Sequence, residues 1–338
     1  MVSIAGAGGY VPRYRIEREE IARQHGGAAS GETAVAARDE TPVTMAVEAA
    51  GTALARADLR GTELDAVFAA SVTDPLAEHG IAAHVAYRHG AEGDVRTGDF
   101  RGSPRAATDA FAAGRHFVAA TGGTALVVGA DQMPVEPGHD DEPYSGAAAG
   151  AVVLDDADDA AAAVHDVAAN TTGFVERHRE HGEPAEAGDR RVAAEMGFGG
   201  VVPDAAERAL AEAPDAPDAA VVAAPDQRTA AGAVSEIPGE VEHVSTFDRV
   251  GYAGTATFFL DLAHLLETAA GGTTAIAVAY GAGGADAVAL TVRDEAPGRD
   301  EAADVTTVAE QLASAEYVTY AEHLRYRERP EYEGVTAE

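Results

Sequence analysis

Short apolar runs alternate along this chain with longer Ala-rich stretches, and the alternation predicts strands and helices in turn. Val2–Ala7 reads as a strand running into Gly8-Gly9-Tyr10-Val11-Pro12, and Leu64–Ala70 reads as a second. Thr124–Ala130 (TALVVGA) is apolar on both faces, the pattern of a strand covered from both sides. Between them, Thr41-Pro42 gives an N-cap residue followed by proline at the first helical position. The helix it opens runs through Met45, Val47, Ala50 and Leu54. Pro104–Ala120 is Ala-rich and helical in pattern; Ala219–Val222 and Ala275–Tyr280 read as strands. Val305–Arg327 reads as one helix, and with the tail it carries Tyr317, Tyr320, Tyr326 and Tyr332. Those aromatics either cover the core of their own domain or dock a partner. Strands alternating with helices define an α/β fold.

A weak internal repeat sharpens this. Ala53-Leu54-Ala55 followed by Asp65–Ala70 recurs as Ala209-Leu210-Ala211 followed by Asp218–Ala224. Gly122-Gly123-Thr124 before one buried strand recurs as Gly271-Gly272-Thr273 before another, in the same order and at an offset of about 150 residues. Two related halves follow, 1–160 and 161–294, joined in the acidic stretch Asp155–Ala163. A Pro- and Asp-rich loop, Glu212–Pro217, punctuates the second half, and 295–338 holds a linker (Glu295–Asp304), the last helical segment and a tail.

Composition narrows the functional classes. Acidic residues outnumber basic ones 57 to 24, for a formal charge of −33, and every basic side chain is arginine. Such a surface repels phosphate backbones and anionic lipid, so neither nucleic acid nor membrane is an expected partner. The charge is dispersed, and with Ala and Val in place of larger apolar residues it fits a very saline cytoplasm, where salt screens self-repulsion. The N-terminus lacks a basic n-region followed by a long apolar core, and no apolar run approaches the ~20 residues of a membrane span, so a cytoplasmic protein is expected. The chain has no cysteine, which removes disulfides, thiolate metal sites and thiol nucleophiles at once.

Several stretches carry a family resemblance. They are Val2–Ile4 through Gly9-Tyr10-Val11-Pro12-Arg13-Tyr14-Arg15-Ile16 and Glu20-Ile21-Ala22; Thr44–Ala50; Gly129-Ala130-Asp131 followed by Tyr144–Ala151; and Val250-Gly251 through Leu260–Ala263 followed by Ala279–Ala287. Over nearly its whole length the chain resembles the archaeal-type hydroxymethylglutaryl-CoA synthases of the thiolase superfamily. The resemblance implies a duplicated αβαβα layered fold. It also implies a chemistry in which a cysteine at a helix N-terminus is acylated, a glutamate moves protons, a histidine acts as acid or donor, and backbone amides hold the oxyanion.

Carried over motif by motif, the cysteine position holds Pro104, the glutamate position Val72, the histidine position Ala223, and the asparagine position of the last motif Tyr252. Ser103 stands beside Pro104 as a fallback nucleophile, or as a helix N-cap with Pro104 at N1. Arg105, Arg228, Gly281 and Gly283 are the candidates for CoA contacts, the two arginines at its phosphates. Gly281 and Gly283 belong to a glycine-rich inter-strand loop that lets the backbone approach the old reaction centre. His178 and His181 in Arg177-His178-Arg179-Glu180-His181 form either a metal pair or part of a solvated charged loop, and His139-Asp140-Asp141 reads as an exposed loop. No metal or cofactor is expected; a CoA ester is the expected ligand. The reading these substitutions favour is a degenerate, non-catalytic subunit or scaffold of an acyl-CoA complex. It would act as a homodimer or with a thiolase-like enzyme and a zinc-ribbon/OB-fold protein. The alternatives are an enzyme of the same superfamily working through a non-cysteine residue, and a CoA-ester binding module.

Overall fold

Strands that are apolar on both faces need cover on both sides, and the computed structural model supplies it in five layers. It describes residues 1–74, 76, 78–180, 183, 185–281, 283–293 and 305–327. One sheet of ten strands forms the frame: β1 (Ser3–Tyr10), β2 (Ala66–Ala70), β3 (Arg96–Phe100), β4 (Ala125–Gln132), β5 (Ala147–Asp155), β6 (Ala162–Thr171), β7 (Ala219–Ala223), β8 (Glu242–His243), β9 (Thr274–Gly281) and β10 (Gly284–Val292). Their order, β8-β7-β9-β10-β6-β1-β5-β4-β2-β3, is a mirror image about its centre. On each side two parallel pairings lead to two antiparallel ones. The two sides meet through only Ser3↔Ala163 and Ile4↔Ala162.

Six helices make the remaining layers: α1 (Pro42–Arg56), α2 (Ile81–Arg88), α3 (Ala106–Thr121), α4 (Gly199–Leu210), α5 (Gln227–Ser235) and α6 (Thr255–Thr268). Period-two alternation sends Val127 of β4 into a central core with Phe111 of α3 and with Phe258, Phe259 and Leu262 of α6. Its neighbours Leu126 and Val128 point the other way, onto Met45 and Leu54 of α1 and Ile81 of α2. Val222 and Ile276 meet Val202 and Ala205 of α4 in the matching outer core. Helix α6 is buried almost all round, as a middle-layer helix must be. This is the duplicated αβαβα arrangement.

Local signals explain most element ends. Thr41 accepts from Thr44 N and Thr44 Oγ1 from Thr41 N, a reciprocal cap with Pro42 at the first position of α1. Strand β1 runs on to Tyr10, beyond the expected Ala7, because Gly8, Gly9 and Tyr10 stay in register with β5. Helix α3 begins at Ala106 rather than Pro104, with Ser103 and Pro104 forming the turn before it. The single helix expected over Val305–Arg327 is instead two, Val308–Ala313 and Tyr320–Arg327, separated by Glu316-Tyr317. Those two residues add a parallel strand beside Tyr14 and Arg15, and Thr319 then caps the second helix through Glu322. Edge pairing outcompeted helical continuation there.

Tyr326 stacks on Tyr14 with centroids 5.1 Å apart, and Tyr320 packs with it on Ile16, Ile21 and Val35, so these aromatics cover their own chain's core. Tyr317 is 57% exposed; Tyr332 and the linker Glu295–Asp304 lie outside the described residues. Among the described residues no helix is long and apolar enough to cross a membrane.

Helix α6 carries a fully buried carboxylate. Asp261 Oδ1 accepts from Thr246 N at 2.8 Å and Thr246 Oγ1 at 2.7 Å, while Oδ2 has no partner among the described residues. Burial pushes its pKa up to about 7 against those hydrogen bonds. The folded pKa lies above the unfolded one, near 3.9. The protonated group's contribution is therefore full below that lower value and is lost as pH rises through about 7. Asp261→Asn, which copies the protonated form, is expected to raise stability by about 2–4 kcal/mol above pH 7 and to leave it unchanged below pH 4. Denaturant midpoints from pH 4 to 9 in molar KCl read this directly; parallel pH curves for the two proteins would sink it.

Candidate functional site

The site is organised by Asp131 near the end of β4. Its carboxylate, completely buried, accepts from six donors. Oδ1 takes Ser71 Oγ (2.8 Å), Val72 N (2.8 Å), Thr73 N (2.9 Å) and Thr73 Oγ1 (2.6 Å); Oδ2 takes Thr255 N (2.7 Å) and Thr255 Oγ1 (2.6 Å). Burial raises its pKa, and the bonds from Thr255, Thr73 and Ser71 pull the other way. One side chain thus pins the loop after β2, which carries Val72, to the start of α6. Gly254 has φ 55°, and a Cβ there would collide with this carboxylate. Just before it, Tyr252 is held by backbone bonds to Tyr144 and Gly146, and packs with Met133 and Phe247 against Val72.

The opposite wall is the turn into α3. A Cβ on Gly281, at the end of β9, would strike Ser103 Oγ and Pro104 Cδ, so the absence of a side chain is what lets β9 close on this turn. Between the walls lies a cavity of about 350 Å³. It brings Val72, Ser103, Pro104, Tyr252 and Gly281 together. Ala223 ends β7 beside Ala279, buried behind the lining, with Pro225 taking its place at the cavity.

Arg105 turns away from the cavity: Nε and Nη2 grip Asp286 at 3.0 and 2.7 Å, and Nη1 donates to Gly283 O at 3.2 Å. Asp286, in turn, holds the Arg105 pKa above its ordinary value. Gly283 lies in the β9–β10 turn at φ 93°, and Arg228 stands exposed in the first turn of α5.

The lining also includes residues the sequence did not single out for this place: Arg101, Glu176, Arg177, His178, Arg179 and Tyr280. The run Arg177-His178-Arg179 lies along the cavity and is no free loop. Arg177 pairs with Asp141 at 2.8 Å, placing the 139–141 loop behind it, and Arg179 donates to Val72 O. His181 lies outside the described residues, among which no three His, Asp or Glu side chains converge for a metal. The lining carries three arginines and two acids, Asp74 and Glu176, with Arg101 paired to Asp74 and Arg177 to Asp141 just behind it. Burial raises the phenol pKa of both Tyr252 and Tyr280, with Glu176 adding to the rise at each.

Both serines of the lining are hydrogen-bonded. Ser71 donates to Asp131, and Ser103 Oγ accepts from Arg105 N at 3.3 Å with no imidazole or carboxylate bonded to it among the described residues. The second C-terminal helix braces the wall from outside: Arg327, partly buried, donates to Met133 O at 3.2 Å and to Ser145 O. Ser145 bridges Tyr252, so both residues that Arg327 clamps adjoin the cavity.

A duplicated five-layer sandwich with a cavity among its strand ends and middle-layer helices is a thiolase-type fold, and solved structures agree. The chain superposes on a hydroxymethylglutaryl-CoA synthase complexed with CoA over 97% of its own length and 90% of that chain, with TM-score 0.82 and 16% identity. It also matches the 3-oxoacyl-[acyl-carrier-protein] synthase III of Aquifex aeolicus VF5, with TM-score 0.74 and 21% identity, covering 86% of this chain and all of that one. In sequence it is 31% identical over 312 residues to the hydroxymethylglutaryl-CoA synthase of Methanopyrus kandleri, covering 87% of this chain and 88% of that protein. The corresponding protein of Caldivirga maquilingensis is 31% identical over 316 residues, covering 88% and 90%. The chain belongs to the hydroxymethylglutaryl-CoA synthase family. No protein-family model matches it.

Proposed function

We propose that this chain is a non-catalytic member of its family, a subunit that keeps the thioester cavity and binds a CoA ester without turning it over. One observation carries the reading. Where the family's chemistry calls for a thiol, a carboxylate and an amide, the cavity wall is Pro104, Val72 and Tyr252, and the chain holds no cysteine at all. A serine nucleophile needs a base within hydrogen-bond reach, and among the described residues Ser103 Oγ bonds only a backbone N–H. The cavity itself is walled by segments that Asp131 knits together, and the arginines of its lining suit an anionic carrier. A fold held this tightly fits a partner role: a homodimer, or a complex with a thiolase-like enzyme and a zinc-ribbon/OB-fold protein.

The test is calorimetric titration with CoA and acetyl-CoA in molar KCl, alongside intact-mass analysis after incubation with acetyl-CoA. Saturable binding with no covalent adduct is the expected result. An acyl adduct that disappears in Ser103→Ala would overturn the non-catalytic reading. Absence of binding would remove the ligand from it.

A further inference from the structure

Two arginines are buried in and beside the short three-stranded sheet, and only one of them is satisfied. Arg15 lies on the strand Tyr14–Glu17, which runs between Glu32–Val35 and Glu316–Tyr317; Arg18 opens the helix that follows. Arg18 spends every nitrogen: Nε donates to Thr33 Oγ1 and Nη1 to Ser30 O, both at 3.2 Å, and Nη2 donates to Phe247 O. Its guanidinium also lies over the Phe247 ring, 4.5 Å from the centroid. Arg15, 0% exposed, donates through Nη1 alone, to Pro12 O and to Tyr14 O at 3.0 Å. Its Nε and Nη2 are buried with no acceptor among the described residues. Those two atoms form one edge of the planar group, the edge with which arginine grips an anion through two parallel N–H bonds.

Among the described residues no carboxylate is left to meet that edge. The two acids whose charge bears on Arg15, Glu32 and Glu40, are engaged elsewhere. Glu32 holds Arg249 Nε at 2.9 Å and Tyr317 Oη at 2.5 Å; Glu40 holds Tyr10 Oη at 2.5 Å and Ala37 N at 2.6 Å. Arg249 adds a second positive charge nearby. Burial lowers the Arg15 pKa only to about 10, so the guanidinium stays charged at neutral pH. A buried cation with neither a counter-ion nor filled donors is strongly unfavourable. We infer that the Nε–Nη2 edge of Arg15 is a buried halide site, holding chloride as a structural part of the folded chain. The edge is closed to solvent, which suits a monatomic anion and excludes phosphates and metabolite carboxylates. Chloride accepts both N–H bonds and cancels the charge, where water would do only the first. The inference is independent of what the cavity binds.

Urea unfolding with chloride exchanged for glutamate at constant potassium reads the site out. The folding constant of the wild-type chain, taken relative to that of Arg15→Met, is expected to rise at least about tenfold from chloride-free to molar chloride. An ion bound only by the folded state raises that constant in proportion to its concentration above Kd. Taking the ratio removes the general effect of each salt on burial, which the two proteins share. Parallel chloride curves for the two proteins overturn the inference and leave the edge to water. Should Arg15→Met fail to fold, crystals of the wild-type chain grown in potassium bromide decide the matter. An anomalous peak against Nε and Nη2 supports the site; bromide absent from that edge overturns it.

Discussion

Asp131→Ala is expected to cost about 2–6 kcal/mol of folding stability, a large share of what a domain possesses. The carboxylate serves three backbone N–H groups and three hydroxyls from two distant segments, the loop at 71–73 and the start of α6. The hydroxyls can rotate to other acceptors and Thr73 N also reaches Ser71 Oγ at 3.2 Å, but the N–H groups of Val72 and Thr255 have no second acceptor among the described residues. Each donor left buried and unpaired costs about 1–3 kcal/mol. Asp131→Asn keeps an acceptor toward one segment and presents an amide NH₂ to the other, so about half the loss is expected. Guanidinium titration in molar KCl measures both. A midpoint for the alanine variant close to wild type would show that the loop and α6 are held by something else.

Arg105→Met is the second large effect, expected to cost about 3–5 kcal/mol. Its guanidinium makes two bonds to Asp286, which is 4% exposed, and Thr108 Oγ1 adds a third at 2.8 Å. Removing the cation leaves that carboxylate buried with one hydroxyl for company. The double variant Arg105→Met/Asp286→Asn should recover most of the loss, since the cost lies in the orphaned charge. The same pair of variants bears on Arg105 as a phosphate contact. A drop in CoA affinity at unchanged stability would restore that role; a drop in stability at near-normal affinity assigns Arg105 to holding α3 against β10.

What could be read from the sequence was whatever is decided within a few residues. Thr41-Pro42 announces α1 because a cap and a proline act on their own turn, and the two-faced apolar pattern of 125–130 marks a covered strand. A glycine-rich hairpin admits close approach, and Gly281 packs on Ser103 and Pro104 at the cavity. What was not legible depends on distant partners. Asp131 looks like any strand-end carboxylate until Thr255, 124 positions away, is beside it. The charged run 177–179 reads as solvated until Asp141 and the Val72 carbonyl are found across from it. The break at Glu316-Tyr317 is set by the free edge at Tyr14, which no local propensity encodes. Family positions could be matched by motif, and the structure gathers Val72, Pro104 and Tyr252 at one cavity while leaving Ala223 behind it.

The middle layer has a consequence for how the protein is made. Its core is built from α3, which comes early in the chain, and α6, which comes late, with strand faces from both sides of the sheet pressed onto them. As the nascent chain leaves the ribosome, the first five strands and α3 can assemble with α1 and α2 outside them. The inner face around Phe111 and Val127 then stays uncovered until Phe258 and Phe259 emerge. With the two sides of the sheet sharing only two residue pairs, nothing else shields that face in the interval. A first half that folds before α6 has emerged therefore presents an exposed apolar face, the kind of surface through which partly built domains associate wrongly.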